Sequence, residues 1–192
     1  MRSFIKDIPP IPLVLFCLVL VATNVLCQWQ VKFSHFAVTV GLFVYPLSFL
    51  ILNYVNELKG RVISRKMICV GFFFSLIPSL IFSTVQITAG SLLAYLMAQL
   101  YDVTAYNWWR RKTHGRHLWL RNNASGFVSL LIDTVVFSTV AFVGVLDWSV
   151  IMSIMYTEYP IKCAYTVFNT APLYLFVSRA KKSPMGDSVD DA

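Results

Sequence analysis

The residues with the clearest potential for binding chemistry are four acids that lie inside long apolar stretches. The chain has only nine Asp and Glu among its 192 residues. Five of these fall near the termini or in a predicted turn, which leaves Glu57, Asp102, Asp133 and Glu158. An ionised side chain in the middle of a membrane costs about 2.5–3.5 kcal/mol on insertion scales, and such groups usually face a bundle interior or a water-filled cavity. These four acids are therefore the first candidates for binding a substrate.

Asp133 is the deepest of the four acids. It lies about eight residues into an apolar helix, roughly 12 Å along the helix axis. A spacing of four places Ser125, Ser129 and Asp133 on one helix face, with Phe137 following. The alternative is a row of hydrogen bonds that only holds helices together. We predict a binding role for Asp133. For the serines both roles stay open, and Ser129 is assigned to the candidate site with Asp133.

A second polar face is predicted one helix earlier. Its members are spaced four, three and four residues apart and share one side of the helix: Tyr95, Gln99, Asp102 and Tyr106. This face supplies a second carboxylate and an amide to the candidate site. The alternative for Asp102 is that its side chain extends toward the membrane surface and pairs with Arg110 or Arg111.

Two further site residues, Asn53 and Glu57, lie four residues apart at the predicted inner boundary of the second apolar stretch. The spacing places both side chains on one face of a helix. Glu57 also has two basic neighbours in the sequence, Lys59 and Arg61. An ion pair at the membrane surface is therefore the alternative to a binding role.

Lys162 is a cation inside an apolar stretch and has two possible partners. Glu158 precedes it by four residues, in the order that favours an ion pair within one helix. The alternative is that Lys162 faces the bundle interior with Thr166 and Asn169 and pairs with Asp133. The spacing does not decide between these two arrangements.

The composition indicates that these residues are positioned by membrane-spanning helices. Hydrophobic residues make up 57% of the chain and charged residues 13%, and the mean hydropathy is +0.67. A soluble domain contains about twice that share of charged residues. About 20 helical residues cross a bilayer, and the apolar stretches predict an all-α bundle of six transmembrane helices over residues 11–26, 36–55, 67–85, 87–106, 125–146 and 150–177.

Two of these stretches carry further predictions. A charged segment before the first stretch also fits a signal peptide, but residues 25–27 lack a small-residue cleavage pattern, so we predict a retained helix. The last stretch is long and contains Pro160, which predicts a kink or a short half-helix before the main span.

The positions of Lys and Arg predict the orientation of the bundle. Fourteen of the 16 fall in the terminal segments and in the connections after the second and fourth stretches, whereas the outer segments contain one, Lys32. Because basic residues in short loops favour the cytoplasmic side, we predict that both termini are cytoplasmic. The chain is then one transmembrane domain, residues 1–180, with a short cytoplasmic tail, residues 181–192. We expect a multi-pass protein of the cell's inner (plasma) membrane.

Several other classes of function are not supported by the sequence. It contains no G-x-S-x-G, H-E-x-x-H or P-loop motif, and its four cysteines lie singly, so we predict no enzyme, no metal site and no cofactor. The stretch YNWWRRKTHGRHLWLR, residues 106–121, combines bases with aromatics, as nucleic-acid sites do. Tryptophans at a membrane interface and arginines on anionic lipid headgroups explain it better. We expect membrane lipids as partners and no nucleic acid.

Four polar segments together resemble a known family. The most specific is THGRHLWLRNNASGFVSLLIDTVVFSTVAFVG, residues 113–144. The others are YPLSFLILNYVNELKG (45–60), AYLMAQLYDV (94–103) and YPIKCAYTVFNTAP (159–172). In order and spacing these segments resemble the queuosine-precursor transporters, small six-helix membrane proteins of the vitamin-uptake-transporter-like family. The chain departs from that pattern with Asn53 in place of an Asp and Leu130 in place of a Gln.

The resemblance implies uptake of 7-deazaguanine bases, namely queuine or its 7-cyano and 7-aminomethyl precursors, for tRNA modification. A guanine-like ring presents an N–H and an NH₂ side by side, and one carboxylate can accept both. Asp133 is our first choice for that carboxylate and Asp102 our second. Gln99 and Asn53 would read the carbonyl side, and Tyr45, Tyr95 or Phe137 would stack on the base. The two departures favour queuine as the substrate.

Two alternatives to a carrier or facilitator stay open. One is the substrate-binding subunit of an energy-coupling vitamin transporter, which would need ATPase partners. The other is a membrane scaffold that transports nothing and whose polar residues only join helices. A homo-oligomer is compatible with each of these readings.

Overall fold

The computed structural model describes residues 7–32 and 37–182, which form a helical bundle with one small β-hairpin. The elements in chain order are α1 (Pro10–Leu26), β1 (Gln30–Lys32), β2 (Ala37–Thr39), α2 (Gly41–Val44), α3 (Pro46–Phe82), α4 (Val85–Lys112), α5 (Leu118–Phe142) and α6 (Trp148–Lys182). The predicted helical class is confirmed. Residues 183–192 of the predicted tail lie outside the described residues, whereas Lys181 and Lys182 belong to α6.

The segment before α3 differs from the prediction. The second apolar stretch was expected to be helical from residue 36, but the chain forms an antiparallel hairpin between β1 and β2 and the single turn α2 before α3 begins. The β-branched residues of the hairpin favour strands. Pro46 then occupies the first turn of α3, where its missing N–H costs nothing.

The first long helix of the bundle, α3, is interrupted at Gly60. This residue has φ 79° and ψ 176°, a conformation that is essentially restricted to glycine. It separates residues 46–59 from residues 61–82, so the predicted cytoplasmic connection near this point is a sharp break between two helical segments. A side chain at Gly60 would meet no atom within 4 Å, and the backbone conformation alone therefore requires glycine.

The helices α4 and α5 form the most extensive helix pair in the described part of the chain. Their connection is the short turn at residues 113–117, in which His114, Gly115 and His117 all have positive φ. Near the other end, Gly90 packs directly against the Ala141 backbone, because a Cβ at Gly90 would lie 3.0 Å from the Ala141 nitrogen. The basic connection is thus shorter than predicted, since α4 continues to Lys112 and α5 begins at Leu118.

The last helix, α6, is continuous from Trp148 to Lys182 and contains Pro160 and Pro172. The half-helix predicted before Pro160 is therefore not present as a separate element. Each proline removes one backbone N–H donor from the helix. In a bundle, neighbouring helices can satisfy the backbone groups that this leaves unpaired, so the helix continues.

The bundle buries polar side chains and exposes apolar ones. Asn53, Gln99 and Asp102 are buried, while Phe168 is 77% exposed and Ile81 68% exposed. A protein dissolved in water hides large apolar side chains instead. Within residues 7–32 and 37–182, two segments are long and apolar enough to cross a membrane: Gly41–Phe82 and Leu118–Phe142. The six crossings and the cytoplasmic position of the termini stay predictions.

Candidate functional site

A cavity of about 480 Å³ lies at one end of the bundle. Its rim includes Cys27 after α1, Phe82 and Thr84 between α3 and α4, and Phe142 at the end of α5. All but Phe142 are exposed, so the cavity reaches the surface at this end. Pockets that bind small molecules usually have volumes of about 300–1,000 Å³. The cavity therefore has the size of a small-molecule site.

Asp133, on α5, lies in the wall of this cavity. Each of its two carboxylate oxygens has a polar partner in the protein. The Tyr45 hydroxyl donates to Oδ1 at 2.9 Å, and the Lys162 Nζ lies 3.0 Å from Oδ2. The side chains of Asp133 and Lys162 are almost completely buried. Asp133 on α5 thus interacts with Lys162 on α6 and with Tyr45, the residue that precedes α3, at one point of the cavity wall.

Lys162 contacts both of the acids that the sequence offered as alternatives. Besides its contact with Asp133, its Nζ lies 3.3 Å from a Glu158 oxygen one turn earlier on α6, and it donates to the Thr134 hydroxyl at 3.2 Å. All three charged groups line the cavity. Two carboxylates and one ammonium give this cluster a formal charge of −1 when all are ionised.

Aromatic rings complete the same cavity. Tyr45, Tyr95 and Phe137 line it. The Tyr95 hydroxyl donates to the Ile68 carbonyl at 3.0 Å, which fixes the position of the ring. The cavity therefore combines charged groups with planar aromatic surfaces.

A second group of predicted residues forms a buried polar layer that does not line the cavity. The Ser129 hydroxyl lies 3.2 Å from Oδ1 of Asp102, and the Gln99 amide donates to the Ser48 hydroxyl at 3.0 Å. Asn53 donates to the Asn122 side chain at 3.2 Å. Asp102 is completely buried and contacts serine, so the alternative pairing with Arg110 or Arg111 is wrong.

Three oxygens in this polar layer have no hydrogen-bond donor among the residues that the structure describes. They are Asn53 Oδ1, Gln99 Oε1 and Asp102 Oδ2. Asn53 also lines a small cavity of about 10 Å³ between α3, α5 and α6, roughly the size of one water molecule. A buried acceptor without a donor costs about 1–3 kcal/mol, so this layer has unused binding capacity.

The third cluster surrounds Glu57, close to the α4–α5 turn. The Arg121 guanidinium lies 2.7 Å from Oε1 of Glu57, and the Tyr106 hydroxyl donates to Oε2 at 2.9 Å. Arg121 also donates to the Gly115 carbonyl at 2.8 Å. The sequence offered Lys59 or Arg61 as the partner of Glu57. It did not indicate Arg121.

Arg121 is the functional candidate that the sequence reasoning did not identify. It was counted among the loop bases that set topology, but it is buried on α5. Helical spacing gives no signal for this contact, because Arg121 and Glu57 are 64 residues apart in the chain. Arg121 Nε also donates to the Tyr106 hydroxyl at 3.2 Å.

The predicted site residues thus divide into three groups along the bundle. The cavity contains Asp133, Lys162, Tyr45 and Tyr95; the polar layer contains Asp102, Gln99, Asn53 and Ser129; and Glu57 belongs to the ion pair with Arg121. Among the described residues, no group of three His, Cys, Asp or Glu side chains could hold a metal ion.

Comparison with known proteins supports a transport role for this arrangement. Residues 39–86 and 79–177 match the family described as "Putative vitamin uptake transporter". A Bacillus subtilis (strain 168) protein named "Probable queuosine precursor transporter" is 29% identical over 178 residues, covering 80% of this chain and 78% of its own length. The Escherichia coli (strain K12) "Queuosine precursor transporter" is 28% identical over 149 residues, covering 65% of this chain and 64% of its own length.

No solved structure matches the chain significantly. The family match spans well over half of the sequence and includes all three clusters, which confirms the resemblance found from the sequence. The described residues also include two apolar segments that are long enough to span a bilayer. The chain is therefore a membrane protein that belongs to the vitamin uptake transporter family.

Proposed function

We propose that the chain is a carrier or facilitator of the inner membrane that imports queuosine precursors or queuine for tRNA modification. The names of two relatives support this class of cargo. The observation that carries the proposal is Asp133, a buried carboxylate in the wall of a cavity of about 480 Å³. The described helices leave space for one small molecule beside it.

The recognition chemistry rests on the acceptor capacity of Asp133. A 7-deazaguanine presents a ring N–H and an exocyclic NH₂ side by side, and a carboxylate can accept both hydrogen bonds. An ionised carboxylate has about four lone-pair positions, and Tyr45 and Lys162 use two of them. The remaining two match the donor pair. A purine that lacks this pair would leave them unpaired and would bind more weakly.

The aromatic rings supply the second part of recognition. Tyr45, Tyr95 and Phe137 line the cavity that contains Asp133. Stacking of a base on an aromatic side chain contributes about 1–3 kcal/mol and tolerates different substituents. The rings would therefore bind the planar base, while Asp133 selects guanine-like compounds.

The charge of the cavity supports queuine as the favoured substrate. Asp133 and Glu158 share the single ammonium of Lys162, so one negative charge is left over. Queuine and the 7-aminomethyl precursor carry an amine that can be protonated, whereas the 7-cyano precursor does not. The excess carboxylate would therefore favour the two amines over the nitrile.

The proposed path runs from the cavity to the Glu57–Arg121 ion pair. In the predicted six-span topology the cavity rim is on the outer side, and the ion pair lies near the cytoplasmic turn. The base would enter at the rim, bind at Asp133 and continue inward from there. Glu57 and Arg121 would separate to release it, which is alternating access.

A rescue assay tests the proposal. The chain is expressed in cells that can neither make nor import queuosine precursors, and tRNA queuosine is measured after queuine or either precursor is supplied. We expect restoration with at least one base. Asp133→Asn should abolish the rescue at near-normal membrane abundance. Asp147→Asn, at an exposed position between α5 and α6, is the matched control and should rescue like the parent chain.

The other outcomes separate the alternative functions. If none of the three bases restores queuosine, the substrate assignment is wrong. If rescue requires a co-expressed ATPase module, the chain is the binding subunit of an energy-coupling transporter. If Asp133→Asn removes the protein from the membrane, the buried acid mainly stabilises the bundle, as in a scaffold.

A further inference from the structure

The three most deeply buried acids differ in how their charge is balanced. Asp133 has Lys162 and Glu57 has Arg121 within 3.0 Å. Asp102 is completely buried, and among the side chains that the structure describes no Lys, Arg or His lies within ion-pair distance of it. A buried carboxylate without a cation is strongly unfavourable. The charge of Asp102 is therefore not balanced by a cationic side chain among the described residues, and a bound cation or a proton would balance it.

Several buried oxygen acceptors at and around Asp102 lack donors among the described residues. They are Asp102 Oδ2, Gln99 Oε1, one turn earlier on α4, and Asn53 Oδ1 on α3. Asn53 and Ser125 are further hydrogen-bonding neighbours of the Asp102 carboxyl group. All of these side chains are at least nine-tenths buried. An organic ligand with hydrogen-bond donors and a small cation would both satisfy such a set.

Even the contact with Ser129 leaves Asp102 incompletely satisfied. A serine hydroxyl has one hydrogen to donate. The Ser129 oxygen lies 2.9 Å from the Ser125 carbonyl and 3.2 Å from Asp102 Oδ1, so the shorter contact competes for that hydrogen. When the hydroxyl donates to the carbonyl, Ser129 supplies no hydrogen to Asp102.

The space in the polar layer decides between an organic ligand and a small cation. The cavity of about 480 Å³ does not include Asn53, Gln99 or Asp102 among its lining residues. The cavity beside Asn53, which is not lined by Gln99 or Asp102, has a volume of about 10 Å³ and holds about one water-sized particle. A bicyclic base does not fit there.

We propose that Asp102, Gln99 and Asn53 form a binding site for a monovalent cation, a sodium ion or a proton, that is separate from the substrate cavity. Sodium would be held by the carboxylate and amide oxygens, which are ligand types that hard cations take in proteins. A proton would reside on the Asp102 carboxyl and be donated to one of the neighbouring acceptors. Acids in membrane helices commonly serve as such relays.

The cation site is coupled to the substrate cavity, an inference that rests on the proposed function. The group that connects them is Tyr45, which donates to Asp133 and also lies within electrostatic range of Asp102. The other groups that face Asp102 are Asn53 from α3 and Ser125 and Ser129 from α5, none of which titrates. Binding of a cation at Asp102 would thus change the field at the Tyr45–Asp133 contact, and the cation gradient would drive uptake.

Uptake into liposomes tests this inference. The purified full chain is reconstituted, the membrane potential is clamped to zero, and uptake of radiolabelled queuine is measured with a tenfold inward sodium gradient, with an inward pH gradient of one unit, or with neither. One cation per substrate carries about 1.4 kcal/mol from a tenfold gradient. We expect one of the two gradients to give up to about tenfold accumulation above equilibrium.

Variants assign the effect to the polar layer. Asp102→Asn should still equilibrate queuine but lose the accumulation, and Asp102→Glu should restore part of it. Asp147→Asn is the matched control and should accumulate like the parent chain. If Asp102→Asn does not reach the membrane, Gln99→Leu removes one acceptor without changing charge and should increase the cation concentration needed for half-maximal uptake.

The possible results separate this inference from the proposed function. Equilibration of queuine without a response to either gradient would overturn the cation site and leave the transporter assignment intact. Full accumulation by Asp102→Asn would also overturn it. Absence of queuine uptake, and of uptake of both precursors, would reject the proposed function together with the cation site.

Discussion

The guanidinium of Arg121 lies 2.7 Å from the carboxylate of Glu57, and both side chains are at least 97% buried. The cavity rim is formed by residues 27, 82, 84 and 142, at the ends of helices remote from the α4–α5 turn that Arg121 contacts through Gly115. The described bundle is thus accessible at one end and held together at the other by a buried ion pair. A carrier caught with its cytoplasmic side shut would have this arrangement.

The first prediction concerns this ion pair. Arg121→Ala leaves Glu57 without its guanidinium partner, and breaking a buried pair in this way costs about 3–5 kcal/mol. We expect a marked loss of thermal stability in detergent, measured by the melting of the size-exclusion peak. Arg116→Ala, at an exposed position in the same turn, should leave the melting temperature unchanged. Equal stability of the two variants would rule out a structural role for the pair.

The second prediction concerns substrate selection by the excess carboxylate. Glu158→Gln removes the excess negative charge, so that the cluster of Asp133, Lys162 and residue 158 becomes electrically neutral. A unit charge about 12 Å away contributes about 1.4 kcal/mol at an effective dielectric of 20, so we expect the preference for 7-aminomethyl- over 7-cyano-7-deazaguanine to fall about tenfold. The measurement is competition of each base with labelled queuine. Asp147→Asn serves as the control for charge removed elsewhere, and an unchanged preference in Glu158→Gln would contradict the charge argument.

The third prediction uses Cys27 to locate the cavity rim. This cysteine is exposed and lines the cavity. In a variant that retains only this thiol, a membrane-impermeant maleimide should label intact cells, because the predicted topology places the rim outside. Added queuine should slow the labelling. A cysteine introduced at Arg116 should react only after permeabilisation, and the reverse pattern would show that the predicted orientation is wrong.

The fourth prediction concerns the break in α3. Gly60→Ala forces a side chain into a backbone conformation that costs about 1–3 kcal/mol for residues other than glycine, although no atom would clash with it. We expect a lower melting temperature and slower uptake. Val62→Ala, two residues away and exposed, is the control. Wild-type stability of Gly60→Ala would mean that the chain can straighten α3 without loss.

The sequence predicted the polar faces of the helices well, because helical spacing alone decides which side chains share a face. Ser129 and Asp133 on α5 and Gln99 and Asp102 on α4 are all buried. Lys162 illustrates the limit of spacing arguments. Its two possible partners lie on different helices, and the structure brings both within 3.3 Å.

The errors arose where partners come from distant parts of the chain. Arg121 was interpreted as a loop base, because the positive-inside pattern counts charges without knowing which of them turn inward. Asp102 was given an alternative pairing with Arg110, whose side chain instead donates to the Glu57 carbonyl. Neither outcome follows from spacing along a single helix. The hairpin before Pro46 was missed because its apolar residues extend the neighbouring apolar stretch.

The break at Gly60 separates the first segment of α3, residues 46–59, from the rest of the helix, so this segment can move as a unit. Tyr45 immediately precedes this segment, and Asn53 and Glu57 lie within it, over about 18 Å at 1.5 Å per residue. Tyr45 contacts Asp133 in the cavity, Asn53 belongs to the polar layer, and Glu57 forms the buried ion pair. A small rotation of this single rod about Gly60 would alter all three contacts at once. Substrate entry, cation binding and substrate release would then be coupled through the movement of this one helical segment, without successive side-chain movements between the three sites.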